Sequence, residues 1–182
     1  KETLTTGDET VDDTDTTSIG DIVHFRLKGT VPTIPEVDNG NQQKFNKYVL
    51  VDNLSKGLTP ETATVNGTVQ LKDMVVRTTN VNADYTLAAE DYTTTITDYE
   101  GNEPEYAGGK TITVTLTDSG LTKISKWAAD EKESKTKEIY FYYTAVVNEY
   151  AEIGPNDQAG SPAGNPNEVQ LRYKIGSSAD ME

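Results

Sequence analysis

The sequence predicts an all-β fold, a β-sandwich that contains one short helix. Threonine is very frequent, and helix-forming runs of Ala, Leu, Glu and Lys are scarce, a composition that favours strands. About eight short strand-like segments follow one another between turns rich in glycine, proline and asparagine, which is typical of a sandwich. Since the chain has 182 residues and a hydrophobic content of 34%, we expect residues 1–182 to form a single domain, excised from a longer surface protein.

Two strands are predicted in the first third of the chain. A polar, acidic stretch covers residues 1–20, and residues 23–28 then alternate between apolar and polar side chains, the pattern of a half-buried strand. Residues 48–52 form a second strand, which ends in a glycine-containing turn over 53–58. Further strands are predicted in three segments, 67–76, 92–97 and 110–117.

The second part of the chain predicts one helix and two more strands. The pair Asp118-Ser119 offers an N-cap, and apolar residues follow at helical spacing, so a short helix is predicted over 119–129. Residues 138–147 are apolar on both faces, which predicts a central strand. A loop rich in Gly, Pro and Asn over 154–166 then leads into the final strand, 167–175.

Composition and charge exclude several classes of function. The chain has 16 Lys and Arg against 30 Asp and Glu, a formal net charge of −14, whereas a nucleic-acid-binding protein would present a basic face. The absence of cysteine excludes disulfides and thiolate metal sites. No long apolar run or lipidation motif is present, so direct membrane contact is not expected.

No catalytic or metal-binding pattern stands out. The single histidine, His24, has the polar parity of its strand and is expected to be exposed. Dinucleotide-binding, P-loop and zinc-protease motifs are absent. The acidic residues from Asp8 to Asp15 offer oxygen atoms to Ca²⁺ but lack the glycine and distal glutamate of an EF-hand loop, so a solvated loop is the better interpretation. The sequence therefore predicts neither an enzyme nor a metal site or cofactor.

The final strand carries an asparagine on its apolar face. Strict alternation puts Val169, Leu171, Tyr173 and Ile175 on one face, and Asn167 has the same parity because a strand has a side-chain period of two. A buried amide needs hydrogen-bond partners or has a chemical role. A plain buried hydrogen bond is the simpler alternative.

One reaction suits such an asparagine in a cysteine-free chain. A lysine amine attacks the side-chain carbonyl and expels ammonia, which leaves an isopeptide bond. The amine must be neutral, which burial favours, the asparagine must be held within attack distance, and a carboxylic acid must polarise the amide. Asp52 is the candidate acid, because it shares the parity of the large apolar residues in its strand. Four lysines have polar parity or lie in turns, namely Lys28, Lys47, Lys56 and Lys110.

Four segments resemble the fimbrial shaft domain of Gram-positive pilins. They occur in the order found in that domain and cover nearly the whole chain: 18–25 (SIGDIVHF), 48–59 (YVLVDNLSKGLT), 142–148 (YYTAVVN) and 164–173 (GNPNEVQLRY). The resemblance implies a backbone subunit of a sortase-assembled pilus, with an immunoglobulin-like domain of the collagen-adhesin type. In that family a lysine on the first strand joins an asparagine on the last strand, helped by an aspartate or a glutamate.

Carried over by position, the resemblance implies Lys1 as the cross-linking lysine, Asp52 as the acid and Asn167 as the acceptor. It also implies a structural protein that performs one self-cross-linking event, needs no cofactor, and lies outside the cell in a cell-wall-anchored pilus. The implied partners are neighbouring pilin subunits in a covalent fibre. The fallback residues are Asn165 as the acceptor and Glu149 or Glu152 as the acid.

Two other functions stay open from the sequence. An adhesin domain would bind a host protein or glycan through the loops 36–44, 98–109 or 154–166, with Tyr99 and Tyr106 of the middle loop as contact residues. A glycan-active enzyme is the third hypothesis, although no pair of carboxylates stands out among the 30 acidic residues.

Overall fold

The structure is a computed structural model that describes residues 2–4, 11–12, 18–34, 36–37, 41–65, 67–79, 82–130, 136–152 and 164–176. These residues form fourteen strands, one α-helix and two short 3₁₀ turns, Ala89–Asp91 and Pro104–Tyr106. The strands are β1 Glu2–Leu4, β2 Val11–Asp12, β3 Ile22–Thr30, β4 Glu36–Val37, β5 Asn41–Gln42, β6 Phe45–Leu54, β7 Leu58–Pro60, β8 Thr62–Val65, β9 Thr68–Leu71, β10 Val75–Thr78, β11 Tyr92–Asp98, β12 Lys110–Leu116, β13 Glu138–Val147 and β14 Asn167–Ile175, and the helix is α1 Asp118–Ala128.

The two larger sheets form an immunoglobulin-like sandwich, as the sequence predicted. One sheet has the order β10-β13-β3-β1-β2, and β7 also pairs with β13. The facing sheet has the order β11-β12-β6-β14. Every pairing in both sheets is antiparallel. Two small hairpins, β4-β5 and β8-β9, lie outside these sheets.

The core forms where the inward parities of the two sheets meet. On β6, Tyr48, Leu50, Asp52 and Leu54 are buried, and the residues that alternate with them, 49, 51 and 53, are half-buried. On β3, Phe25 and Leu27 are buried in the same alternating way. Alternation of this kind puts one face of each strand into the interior and leaves the other face towards solvent.

Strand β13 is central, as predicted, but only one of its faces is buried. Tyr143 and the residues of its parity are buried, whereas Tyr140 and Tyr142 are half-buried on the outer face. Arginine side chains partly cover the tyrosine rings on this outer face, because their guanidinium groups lie over the rings. Arg26 lies 5.1 Å from the Tyr140 ring centroid, and Arg77 lies 5.5 Å from that of Tyr142.

The helix agrees with its prediction to within one residue at each end. Its N-cap is Thr117, whose side chain accepts a hydrogen bond from the backbone N–H of Gly120 at 3.4 Å. Ile124 and Trp127 are fully buried, so α1 closes one end of the core. In the described part of the chain, no helix has the length and apolar character needed to cross a bilayer.

The single strand predicted over 67–76 is wrong. Residues in this range belong to two strands, β9 and β10, that go to different partners: β9 pairs with β8, and β10 joins β13. Asp73 lies between them with a φ of 50°, a left-handed conformation that ends a strand and that aspartate tolerates better than most residues.

Candidate functional site

Strand register puts Asn167 and Asp52 on the same side of one sheet. β14 pairs with β6 so that Asn167 is opposite Leu54 and Val169 is opposite Asp52. Leu54 and Asp52 are both fully buried, so this parity faces the other sheet. The predicted inward parity of Asn167 is therefore confirmed.

Asp52 lies in the middle of the four-stranded sheet. It pairs with Ile112 on the adjacent strand β12 and with Val169 on the adjacent strand β14. The exposed fraction of Asp52 is 0%, in the same range as that of Leu50, the next residue of its parity. A carboxyl group in such surroundings is costly unless polar groups reach it.

Tyr143 reaches Asp52 from the opposite sheet. The Tyr143 hydroxyl donates a hydrogen bond of 2.5 Å to Oδ2 of Asp52. The ring stacks on Phe25, with centroids 5.0 Å apart and planes 12° from parallel. Burial, and then the charge of Asp52, raise the pKa of Tyr143 well above its usual value, so the hydroxyl keeps its proton.

Asn167, which is itself half-buried, completes a polar group that we call the Asp52 cluster, formed by Asp52, Tyr143 and Asn167. Nδ2 of Asn167 donates a long hydrogen bond of 3.5 Å to the Tyr143 hydroxyl. The carbonyl oxygen Oδ1 is buried and has no hydrogen-bond partner among the described residues. The carbonyl oxygen can therefore accept a hydrogen bond from a further donor, and the carbonyl carbon can be attacked by a nucleophile.

Lys1 lies outside the described residues, but the strand that follows it is described. In β1, Glu2 is opposite Arg26, Thr3 is opposite Phe25, and Leu4 is opposite His24. The first strand therefore pairs with the strand whose Phe25 stacks on Tyr143. The prediction of Lys1 as the amine stays a prediction.

One described lysine is buried, and sequence reasoning did not find it. Lys137 has an exposed fraction of 8%. Its Nζ donates to three backbone carbonyls at the end of α1, those of Trp127 at 2.6 Å, Ala128 at 3.2 Å and Asp130 at 2.9 Å. Since an ammonium group has three donors, this amine is occupied as a cap of the helix.

Lys110 has a different parity from the one predicted. It is opposite Leu54, in the same row as Asn167, and it shares the parity of the buried Ile112. The assignment of Lys110 to a polar parity or a turn was wrong, because the alternation of the apolar residues that follow it in β12 already gives Lys110 the parity of Ile112. Its Nζ nevertheless pairs with Asp98 at 2.5 Å, and both side chains are exposed, by 42% and 82%.

The fallback residues lie in a separate network. The side chain of Asn165 accepts from the backbone N–H of Glu152 and donates to the Glu152 carbonyl, both at 3.1 Å. Glu149 and Glu152 are exposed. Their carboxyl groups are therefore in water and lack the apolar surroundings that the reaction needs.

Two further predictions concern aromatic and histidine residues. Tyr106 is buried and packs on Tyr99, with ring centroids 5.5 Å apart, so it serves local packing. His24 is half-buried, with a buried Nε2, and not exposed as predicted, because its strand β3 has the paired strands β1 and β13 on either side. The side chains of the acidic segment from Asp8 to Asp15 lie outside the described residues. Among the residues that the structure describes, no group of acidic and histidine side chains is arranged to hold a metal.

A second buried aspartate was also missed. Asp91 accepts hydrogen bonds from the backbone N–H of Ala88 at 2.7 Å, from the Ser119 hydroxyl at 2.6 Å and from Nζ of Lys123 at 2.5 Å. We call these four residues the Asp91 cluster. Burial alone would raise the pKa of Asp91, but these hydrogen bonds and the Lys123 charge together lower it.

Comparison with solved structures identifies the architecture. The pilus backbone RrgB from Streptococcus pneumoniae matches with a TM-score of 0.52 and 19% sequence identity, over 98% of this chain. The chain has the fold of that pilus backbone. Two structures of the major pilin SpaD from Corynebacterium diphtheriae are also similar, the full-length protein (TM-score 0.48, 19% identity, 90% of this chain and 29% of that one) and its domains D2 and D3 (TM-score 0.42, 20% identity, 87% of this chain and 46% of that one).

The likeness is one of structure. No protein-family model matches the sequence, and no curated protein does. The chain spans about half the length of the RrgB structure, 53%. At this level of identity the match shows the immunoglobulin-like fold, which the pilin-like segments of the sequence also imply.

Proposed function

We propose that this chain is a structural domain of a surface pilus backbone subunit, stabilised by an autocatalytic isopeptide bond between Lys1 and Asn167. One observation carries the proposal: Asn167 presents a buried carbonyl oxygen without a described partner, beside the buried acid Asp52. The fold shared with the RrgB pilus backbone supports the same function. In this function the domain has no substrate to turn over, and its partners are neighbouring subunits of a cell-surface fibre on a Gram-positive bacterium.

The reaction balances with these residues alone. The neutral amine of Lys1 attacks Cγ of Asn167, and a C–N bond forms. Asp52 accepts a proton from the attacking nitrogen, and the departing Nδ2 gains a proton. The bond from Cγ to Nδ2 breaks and ammonia leaves. A buried acid suits this exchange because proton transfer in a dry site does not compete with water.

The pairing of the first strand supports Lys1 as the amine. Lys1 directly precedes Glu2, and Thr3 is opposite Phe25, whose ring stacks on Tyr143 of the Asp52 cluster. Consecutive Cα atoms are about 3.8 Å apart, and Glu2, the neighbour of Lys1 in the chain, belongs to the sheet that carries Tyr143. The amine of Lys137 is occupied by three carbonyls, which leaves it unsuited to attack.

The bond would act on both stability and mechanics. It would join the first and last strands and close a loop of nearly the whole chain, which stabilises by about 5 kcal/mol on the chain-entropy model. It would also carry tension between these strands without unfolding the residues between them. Unlike a disulfide, it would withstand reductants, which suits a fibre under shear.

Intact mass and peptide mapping test the proposal. We expect the folded protein to weigh less than its sequence by one ammonia, and digestion to yield a branched peptide that contains Lys1 and Asn167. Lys1→Ala and Asn167→Ala should each restore the full mass, whereas the control Asn165→Ala should keep the deficit. A full mass in the folded wild-type protein would contradict the proposal.

The same experiment separates Lys1 from the other lysine near the row of Asn167. If Lys110 were the amine, Lys110→Ala would restore the full mass and Lys1→Ala would not. We expect the reverse, because Nζ of Lys110 lies at the surface against Asp98. The branched peptide identifies the lysine directly, whichever variant keeps the deficit.

A further inference from the structure

The Tyr143 hydroxyl lies between the acid and the nitrogen that the reaction expels. Its oxygen is 2.5 Å from Oδ2 of Asp52 and 3.5 Å from Nδ2 of Asn167. It is therefore hydrogen-bonded on one side to the proposed acid and on the other to the leaving group of the amide. Tyr143 is buried, so bulk water has no direct path to this position.

We propose that Tyr143 is a further catalytic residue of the cross-linking reaction and relays a proton from Asp52 to the leaving nitrogen of Asn167. This inference rests on the proposed function and adds to it a residue outside the Lys, Asn and acid set. A hydroxyl suits the role because it donates and accepts at the same oxygen. Expelling ammonia instead of an amide anion requires that Nδ2 be protonated, so a donor at this atom lowers the barrier.

The relay is a two-proton exchange with no net change in Tyr143. After attack by the amine, Asp52 holds the proton that came from the lysine nitrogen. Asp52 passes a proton to the Tyr143 oxygen, and Tyr143 passes its own proton to Nδ2. The bond from Cγ to Nδ2 then breaks, ammonia leaves, and both Asp52 and Tyr143 return to their starting protonation states.

Packing holds the hydroxyl where the relay needs it. The Tyr143 ring is stacked on Phe25 at 5.0 Å, nearly parallel. Phe25 is opposite Tyr143 in the β3–β13 ladder and opposite Thr3 in the β1–β3 ladder. A phenol fixed by a neighbouring ring loses little freedom on reaction, which is the advantage of a preorganised donor. Closing the 3.5 Å contact requires only a small shift of the amide.

The test compares the rate of cross-linking in Tyr143→Phe and Tyr48→Phe. Tyr143→Phe keeps the ring on Phe25 and removes the hydroxyl. Tyr48→Phe is the matched control, because Tyr48 is also a buried core tyrosine, and its hydroxyl donates to the Thr30 carbonyl at 3.0 Å. Newly synthesised full chain is pulse-labelled and quenched in denaturant at successive times, and the cross-linked fraction is read from intact mass. We expect Tyr143→Phe to react about 100-fold more slowly than wild type, and Tyr48→Phe to react at the wild-type rate.

A second variant keeps the test valid if Tyr143→Phe does not fold. Site-specific replacement of Tyr143 by a fluorinated tyrosine keeps the shape of the side chain and makes its hydroxyl more acidic. A relay predicts that this change alters the rate and its dependence on pH, whereas a packing role predicts the wild-type profile. Equal rates for wild type, Tyr143→Phe and the fluorinated protein would overturn the relay and leave the isopeptide bond standing. A wild-type protein that never loses ammonia would overturn both proposals.

Discussion

Two aspartates among the described residues are fully buried, and the partners that the structure describes for them differ. Asp91 accepts hydrogen bonds from Ala88, Ser119 and Lys123, so both of its oxygens have donors and a cation lies beside it. Asp52 lies against the neutral hydroxyl of Tyr143, and beyond this hydroxyl lies the neutral amide of Asn167.

The difference distinguishes Asp91, a structural carboxylate, from Asp52, which we propose takes part in the cross-linking reaction. Donors and a cation stabilise the charged form of a buried acid, so the Asp91 cluster holds together the start of α1 and the loop before β11. Asp52 contacts the Tyr143 hydroxyl, which in turn contacts an amide with an open carbonyl oxygen, and a buried acid in contact with groups that can exchange protons is arranged for proton transfer. Burial alone does not distinguish the two aspartates, but their partners do.

The largest expected effect compares Asp52→Ala with Asp91→Ala in denaturant unfolding. Asp52→Ala should abolish the cross-link and lower the free energy of unfolding by about 5 kcal/mol, the loop-closure contribution. Asp91→Ala should lower it by about 3 kcal/mol, because it leaves Lys123 and buried donors without their acceptor. Intact mass is measured on the same samples.

Mass is the decisive part of that comparison. Asp91→Ala should keep the deficit of one ammonia, and Asp52→Ala should not. If both variants lost stability equally and both kept the deficit, Asp52 would be a structural carboxylate like Asp91.

A smaller effect is expected at the buried lysine. Lys137→Met removes the ammonium that caps three carbonyls at the end of α1 while it keeps the apolar stem. The free energy of unfolding should fall by about 1–3 kcal/mol, since buried carbonyls lose their donor and the helix loses a favourable terminal charge. The measurement is denaturant unfolding with intact mass, and the deficit of one ammonia should stay. Loss of the deficit in Lys137→Met would make Lys137, and not Lys1, the candidate amine.

Strand parity predicted the parts of the site that lie on amphipathic strands. Asp52 and Asn167 were found because each follows a regular alternation of large apolar residues, and alternation is decided by local geometry. Tyr143 was not found because its strand is apolar at almost every position, so a period of two does not show which tyrosines face inward. The outer tyrosines are covered by Arg26 and Arg77, a tertiary contact that the sequence does not reveal.

Other parts of the structure depend on contacts between distant segments. Asp91 belongs to a short 3₁₀ turn with no periodic pattern, and its partners Ser119 and Lys123 come from α1. Lys137 is buried against the end of that helix, where its Nζ donates to three backbone carbonyls. The sandwich itself was predictable, because many short alternating strands together indicate it. One wrong strand, such as the single strand proposed over 67–76, does not change that prediction.

The smallest expected effect is a difference in pH dependence between the two clusters. The folded pKa of Asp91 is lowered, whereas its unfolded value is about 3.9. A lowered folded pKa contributes stability above the unfolded value, and the contribution disappears as the pH falls through the folded one. The free energy of unfolding should therefore fall on acidification, and Asp91→Asn should remove part of this slope, so that variant and wild type converge at low pH.

For Asn167→Ala, which removes the acceptor, the isopeptide bond predicts that variant and wild type do not converge in stability at low pH. A covalent link does not titrate, so the difference in unfolding free energy between wild type and Asn167→Ala should stay constant from about pH 7 to about pH 4. Glu61 and Glu138, whose pKa values are lowered mainly by hydrogen bonds from Thr144 and Tyr140, are present in both proteins and give the same background slope. Denaturant unfolding across this range measures the difference. A difference that disappeared with acid would mean that Asn167 stabilises the fold through titrating contacts of the Asp52 cluster. A constant difference is what a covalent link between the first and last strands requires.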